Sequence, residues 1–227
     1  MIDAVQVCER LAVVRERIAR AGGVDVHVMG VTKTWGIDAV RAAAAAGCDS
    51  VGENYAQELA TKFAGETGLP QVHFIGRLQT NKVRLVAPFV DVYETVDRGS
   101  LAAELAKRTP GATVLVQVSP DADPDKGGCA LDGVSALVES CSGLGLVVAG
   151  LMTVGPTEGG PEAARPGFRA VRALVDRLGL AVCSMGMSDD LEVAVQEGST
   201  QVRVGSALFG PRTATATRDR VPPPHAE

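Results

Sequence analysis

HVMGVTKTWG, residues 27–36, begins as an apolar run of the kind that builds a buried strand and stops at a lysine, Lys33. In an open, doubly wound sheet the first strand usually runs into a glycine-rich GxGxxG turn that receives a dinucleotide pyrophosphate. Here that position holds Thr32, Lys33 and Thr34. The first βα turn therefore argues against a dinucleotide fold, and the architecture depends on how many strands follow.

Upstream, Val7, Leu11, Val14 and Ile18 recur at i, i+4, i+7 and i+11, one face of an amphipathic helix that ends at Gly22 and Gly23. Downstream, the chain alternates. Residues 24–31 read as strand, 37–46 as an alanine-rich helix stopped by Gly47, and DSVG as a short strand. Further strands are expected at VHFIG, DVYETV, TVLVQVS, LGLVVAGLM, LAVCSMG and TQVRVG, with helices at 56–63, 81–86, 101–108, 134–141, 168–177 and 191–196. Eight short apolar strands alternating with helices predict a single α/β domain, a (β/α)8 TIM-type barrel over residues 1–212 with an extra N-terminal helix. Residues 213–227 lack apolar periodicity and contain three consecutive prolines, so they read as a disordered tail. No internal repeat is found.

Composition narrows the function. The 227 residues are 46% hydrophobic and 22% charged, enough apolar material for one large core. A net charge of −5 with no stripe of Lys and Arg argues against a nucleic-acid surface. Five cysteines (Cys8, Cys48, Cys129, Cys141, Cys183) at scattered spacings suggest neither a disulfide framework nor a zinc site, and fit a reducing cytoplasm. His27, His73 and His225 share no i, i+4 spacing, so no metal site is expected. The charged N-terminus and the absence of any long uncharged run argue against a signal peptide or a membrane span.

Closure of a barrel makes strands 1 and 8 neighbours, which sets Lys33 near Arg203 and Gly205 at the C-terminal rim where barrel sites form. The loops after strands 7 and 8, MGMSDD and VGSALFG, suit an anion: Ser188 or Asp189 can cap the following helix, and Gly205-Ser206 permits close backbone approach with a hydroxyl donor. Taken singly, these features also read as a solvated lysine, ordinary turn glycines and helix-start charges. Taken together, a lysine, an arginine and a phosphate nest point to pyridoxal 5′-phosphate (PLP). Lys33 as the free amine would hold the aldehyde as a Schiff base, the aldimine lysine, and Arg203 would face the pyridine nitrogen. An arginine keeps that nitrogen unprotonated, which makes a poorer electron sink. The same lysine and nest also suit a Schiff-base aldolase acting on a phosphorylated substrate.

From about residue 28 to 212, the motifs VTKT, VGENYAQE, HFIGRLQTNK, GLMTVG and SMGMSDDLEVAVQEGSTQVRVGSALFG occur in that order. In this the chain resembles the pyridoxal phosphate homeostasis proteins, which look like the N-terminal barrel of alanine racemase standing alone. The resemblance implies Lys33 as the aldimine lysine, Arg203 at the pyridine nitrogen, Ser188, Gly205 and Ser206 on the phosphate, and a backbone contact from Met187. Asn54 and Met152 match positions that line the family's pocket, and otherwise read as an N-cap and a core methionine. Many members carry a second lysine two residues after the first, where this chain has Trp35; Lys126 matches a lysine linked to cofactor handling. The resemblance further implies a cytoplasmic PLP carrier or buffer in vitamin B6 homeostasis, a monomer whose partners are PLP and PLP-dependent apoenzymes, with neither membrane nor nucleic acid involved. A two-domain racemase draws its second acid/base residue from a further domain or a partner subunit, so two-base racemisation is not expected. The enzyme alternatives are a PLP-dependent racemase or decarboxylase, and the aldolase.

Overall fold

Asp3 starts the first helix, its carboxylate accepting from Val5 N at 2.9 Å, and α1 then runs Ala4–Arg20. Val7, Leu11, Val14 and Ile18 are buried on one face of it. Each such apolar side chain contributes about 1.5–3 kcal/mol when fully removed from water. The computed structural model describes residues 2–121 and 127–211. The elements after α1 are β1 (His27–Val31), α2 (Ile37–Ala46), β2 (Ser50–Glu53), α3 (Ala56–Phe63), β3 (Gln71–Phe74), α4 (Val83–Val86), β4 (Val92–Val96) and α5 (Gly99–Arg108). They are followed by β5 (Thr113–Val118), α6 (Val134–Gly143), β6 (Val147–Thr153), α7 (Arg165–Arg177), β7 (Val182–Ser184), α8 (Leu191–Gln196), β8 (Gln201–Val204) and α9 (Ser206–Phe209).

The strands form a closed parallel barrel in chain order, and β1 pairs with β8 to complete it. This is the expected (β/α)8 architecture. The main core lies between strands and helices, where residues such as Val28, Val51, Leu59 and Val204 meet, while Val92, Leu115 and Met152 form a separate cluster. The added helix α1 lies against α2, α8 and α9, across the β8/β1 seam.

Several boundaries move for local reasons. The first strand starts at His27 rather than 24, because Asp25 takes a left-handed φ of 52° that breaks extended backbone. Gly47 ends α2 at φ 88°, as its lack of Cβ allows. The helix expected over 81–86 divides into a 3-10 turn, Thr80–Lys82, and α4. That expected over 168–177 begins earlier, at Arg165, where a proline in the first turn needs no N–H partner. Neither Ser188 nor Asp189 caps α8. Asp190 stands at that boundary, and its carboxylate turns back to accept from Met187 N at 2.6 Å. The short α9 carries no periodicity in the sequence, since four residues are too few to show one. Residues 212–227, which include the expected tail, and Lys126 lie outside the described residues.

Candidate functional site

At the C-terminal rim of the barrel a cavity of about 760 Å³ opens. Lys33, Asn54, Met152, Met187, Ser188, Arg203, Gly205 and Ser206 all line it, although they come from loops and strands spread across the whole chain. Trp35, Arg77, Gln117 and Asp189 also border it.

Lys33 stands two residues past the end of β1 and is partly buried. Arg203 lies deeper, since in the β1–β8 register it pairs with Met29, four residues before Lys33. Arg203 is 4% exposed, and its guanidinium donates from Nη1 to Ser184 Oγ at 2.8 Å and from Nη2 to Thr153 O at 2.7 Å. Burial pulls the Arg203 pKa down from its ordinary value, with Glu94 and Asp190 opposing.

Around Arg203 the barrel interior is polar. Glu94, fully buried on β4, accepts from Ser184 Oγ at 2.7 Å and from Gln201 Nε2 at 2.6 Å, and its Oε1 lies 2.5 Å from His73 Nδ1. Burial works against ionisation of Glu94. The hydrogen bond with His73, nearby positive charge including Arg203, and the Ser184 hydroxyl outweigh it and hold the carboxyl below its usual range. His73 is on β3 with its ring in this network. The motifs of the sequence give no role to Glu94, Ser184, Gln201 and Thr153. A usable signal was the spacing of polar residues at i, i+2, Gln71/His73 and Gln201/Arg203, which puts both members of each pair on one face of a strand.

The anion-suited loops meet as well. Ser206 Oγ donates to Ser188 Oγ at 3.2 Å, and Ala207 N approaches the same oxygen at 3.4 Å. From outside the barrel, Arg17 on α1 donates to Ser188 O at 2.9 Å and pairs with Glu192 at 2.6 Å, while Arg10 donates to Leu208 O at 3.0 Å. The N-terminal helix thus holds both loops by their carbonyls.

Asn54 is not an N-cap, since Tyr55 precedes α3. Instead Asn54 Oδ1 is buried at the cavity without a hydrogen-bond partner. Met152 is both core and lining, 1% exposed in its apolar cluster and bordering the cavity. Trp35 packs its ring against Phe209 of α9 with centroids 6.2 Å apart, so it ties the first loop to the last. Among the described residues no group of three His, Cys, Asp or Glu is placed to hold a metal ion, and no helix is long and apolar enough to cross a membrane.

The sequence model described as "Alanine racemase, N-terminal domain" matches residues 2–213. A pyridoxal phosphate homeostasis protein of Pseudomonas aeruginosa is 40% identical over 220 residues, 91% of this chain and 96% of that one. One from Aquifex aeolicus is 39% identical, covering 90% and 98%. Among solved structures, PipY of Synechococcus elongatus, determined with PLP bound, superposes with a TM-score of 0.80 at 32% identity, over 90% of this chain and all of that one. A shared closed barrel and near full-length identity at this level leave one assignment: the chain belongs to the pyridoxal phosphate homeostasis protein family, on the alanine racemase N-terminal barrel.

Proposed function

We propose that this protein binds PLP in the rim cavity and acts in intracellular PLP homeostasis, holding the cofactor on Lys33 without a turnover of its own. The carrying observation is the donor set of one cavity: Lys33, the deeply buried Arg203, and the paired hydroxyls of Ser188 and Ser206 all face it. The unpartnered Asn54 Oδ1 supports the fit, because a buried acceptor without a partner is costly unless a ligand satisfies it. Relatives named for PLP homeostasis and the PLP-bound PipY support the same reading.

When bound, PLP supplies an aldehyde whose carbon joins a primary amine as C=N with release of water. This chain's residues have separate tasks. Lys33 provides the amine. Arg203 would present its guanidinium to the ring nitrogen, a donor that does not give up its proton and so would leave that nitrogen unprotonated. Ser188, Ser206 and the backbone at Gly205 would receive the phosphate; Met187, expected to add a backbone contact, lines that side of the cavity with its N–H donated to Asp190 Oδ1 at 2.6 Å. Glu94, through Ser184, sets the angle of Arg203. PLP-dependent apoenzymes are the partners to which held cofactor passes, and the protein works as a cytoplasmic monomer.

Colour tests the reading. The protein as purified should absorb visible light, and borohydride should abolish that band and leave the label on Lys33 in peptide mapping. Lys33→Ala should be colourless. A label chiefly on Lys82 or Lys126 would overturn the assignment, and a wild type that keeps no visible band after incubation with PLP and removal of unbound ligand would favour a resting Schiff-base aldolase.

A further inference from the structure

The two residues that flank Lys33 are held by one buried ion cluster outside the cavity. Lys62 of α3, its side chain 5% exposed, places Nζ 2.9 Å from Thr32 O, 2.6 Å from Glu53 Oε1 and 2.7 Å from Glu58 Oε1. Glu53 Oε1 also accepts from Thr32 Oγ1 at 2.7 Å. Glu58 Oε1 accepts from Thr34 N at 2.6 Å. Thr34 has φ 68°, a left-handed conformation that β-branched residues rarely adopt, so its neighbours must impose it.

None of Glu53, Glu58 and Lys62 lines the cavity, so none is placed to touch a ligand there. Stability is a weak reason for such a cluster, because burying one ammonium between two carboxylates costs desolvation that apolar side chains would not. Its geometric effect is specific: Thr32 is tied by carbonyl and hydroxyl, Thr34 by its amide, and Lys33 is the single residue between them. The backbone that carries the lysine is thereby clamped on both sides, which is what holding a reacting amine in one geometry requires.

We propose that Glu53, Lys62 and Glu58 are positioning residues for Lys33, fixing the turn that aims its amine at an aldehyde in the cavity. The proposal rests on Lys33 being the aldehyde-binding residue. Glu58 offers the cleanest test, since its side chain is 26% exposed and at the start of α3, where truncation is tolerated better than at Glu53. Two probes separate aiming from general damage. PLP needs the Lys33 amine, whereas pyridoxine 5′-phosphate has an alcohol in place of the aldehyde and binds only through ring and phosphate.

Glu58→Ala should raise the apparent Kd for PLP at least about tenfold, with pyridoxine 5′-phosphate within about twofold of wild type by calorimetry. Glu58→Gln, whose amide oxygen can still accept from Thr34 N, should recover most of the loss. Lys62→Met should behave like Glu58→Ala. Burial already pushes the Glu53 carboxyl up against the pull of Lys62, so without the ammonium it can take a proton instead of remaining a stranded charge. If both probes weaken together, or neither changes in the folded variants, the positioning role is wrong. If wild type binds PLP no better than Lys33→Ala, the aldehyde-binding reading fails and takes this proposal with it. A Lys33-dependent wild type with an unaffected Glu58→Ala overturns the positioning role alone.

Discussion

Arg203 donates to Ser184 Oγ at 2.8 Å, and the same hydroxyl donates onward to Glu94 at 2.7 Å. One serine hydroxyl thus joins the deepest cation of the cavity to a fully buried carboxylate. Ser184→Ala removes an acceptor from Arg203 and Gln201 and a donor from Glu94 at once. Leaving buried polar groups unpaired costs about 1–3 kcal/mol, more where they are charged. Urea unfolding should show a loss of at least that size, and a loss below 0.5 kcal/mol, roughly that of an ordinary surface change, would mean that the network rearranges freely.

The proposed phosphate nest is tested by ligand comparison. Ser206→Asp puts a carboxylate beside Ser188 Oγ, where the wild-type hydroxyl sits at 3.2 Å, removing a donor and adding repulsion. Charge-assisted hydrogen bonds contribute on the order of 1.5–3 kcal/mol each, so PLP affinity should fall by orders of magnitude. Pyridoxal, without a phosphate, should lose far less. Equal weakening of both in a variant with a wild-type circular dichroism spectrum would move the phosphate elsewhere.

Racemisation of alanine should be slow. Inverting an α-carbon needs a base on each face. Among the described residues lining the cavity Lys33 is one such base, no tyrosine, histidine or second lysine joins it, and the one carboxylate, Asp189, sits beside Ser188 in the loop proposed for the phosphate; Trp35 stands where the resemblance gives many members a second lysine. Solvent deuterium exchange with chiral analysis reads this directly. Fast inversion that disappears in Lys33→Ala would make the protein an enzyme.

The Arg17–Glu192 pair gives a pH signature. The hydrogen bond from Arg17 holds the Glu192 carboxyl below its usual range, with partial burial opposing. A carboxyl whose folded pKa is depressed contributes stability above its unfolded value, near 4.3, and loses it as pH falls through the folded one. Glu192→Gln should therefore lower thermal stability at neutral pH and flatten its decline on the acid side of pH ~4.3. Because Arg17 also holds Ser188 O, PLP affinity should drop a few-fold in the same variant. A variant with the wild-type acid limb would show that the pair contributes nothing.

What the sequence determined by itself was what repeats or stands out locally. Alternating apolar runs and helical faces state the strand count, and each of Val7, Leu11, Val14 and Ile18 is buried as its spacing requires. Lys33 was visible because a cation that ends an apolar strand breaks the local pattern, and Ser188, Gly205 and Ser206 because their types suit an anion. Barrel closure settles which of the remaining polar residues share one interior. Glu94, Ser184 and Gln201 look like incidental polar residues in strands until closure turns their side chains into one interior, where low dielectric makes each hydrogen bond obligatory. Lys62 reads as a helix-surface lysine, paired at i, i+4 with Glu58; it is buried because β2 brings Glu53 alongside and the β1 turn closes over it. Local periodicity fixes faces through short-range geometry, but which faces meet depends on strand order and register, and a charge's partners follow from those.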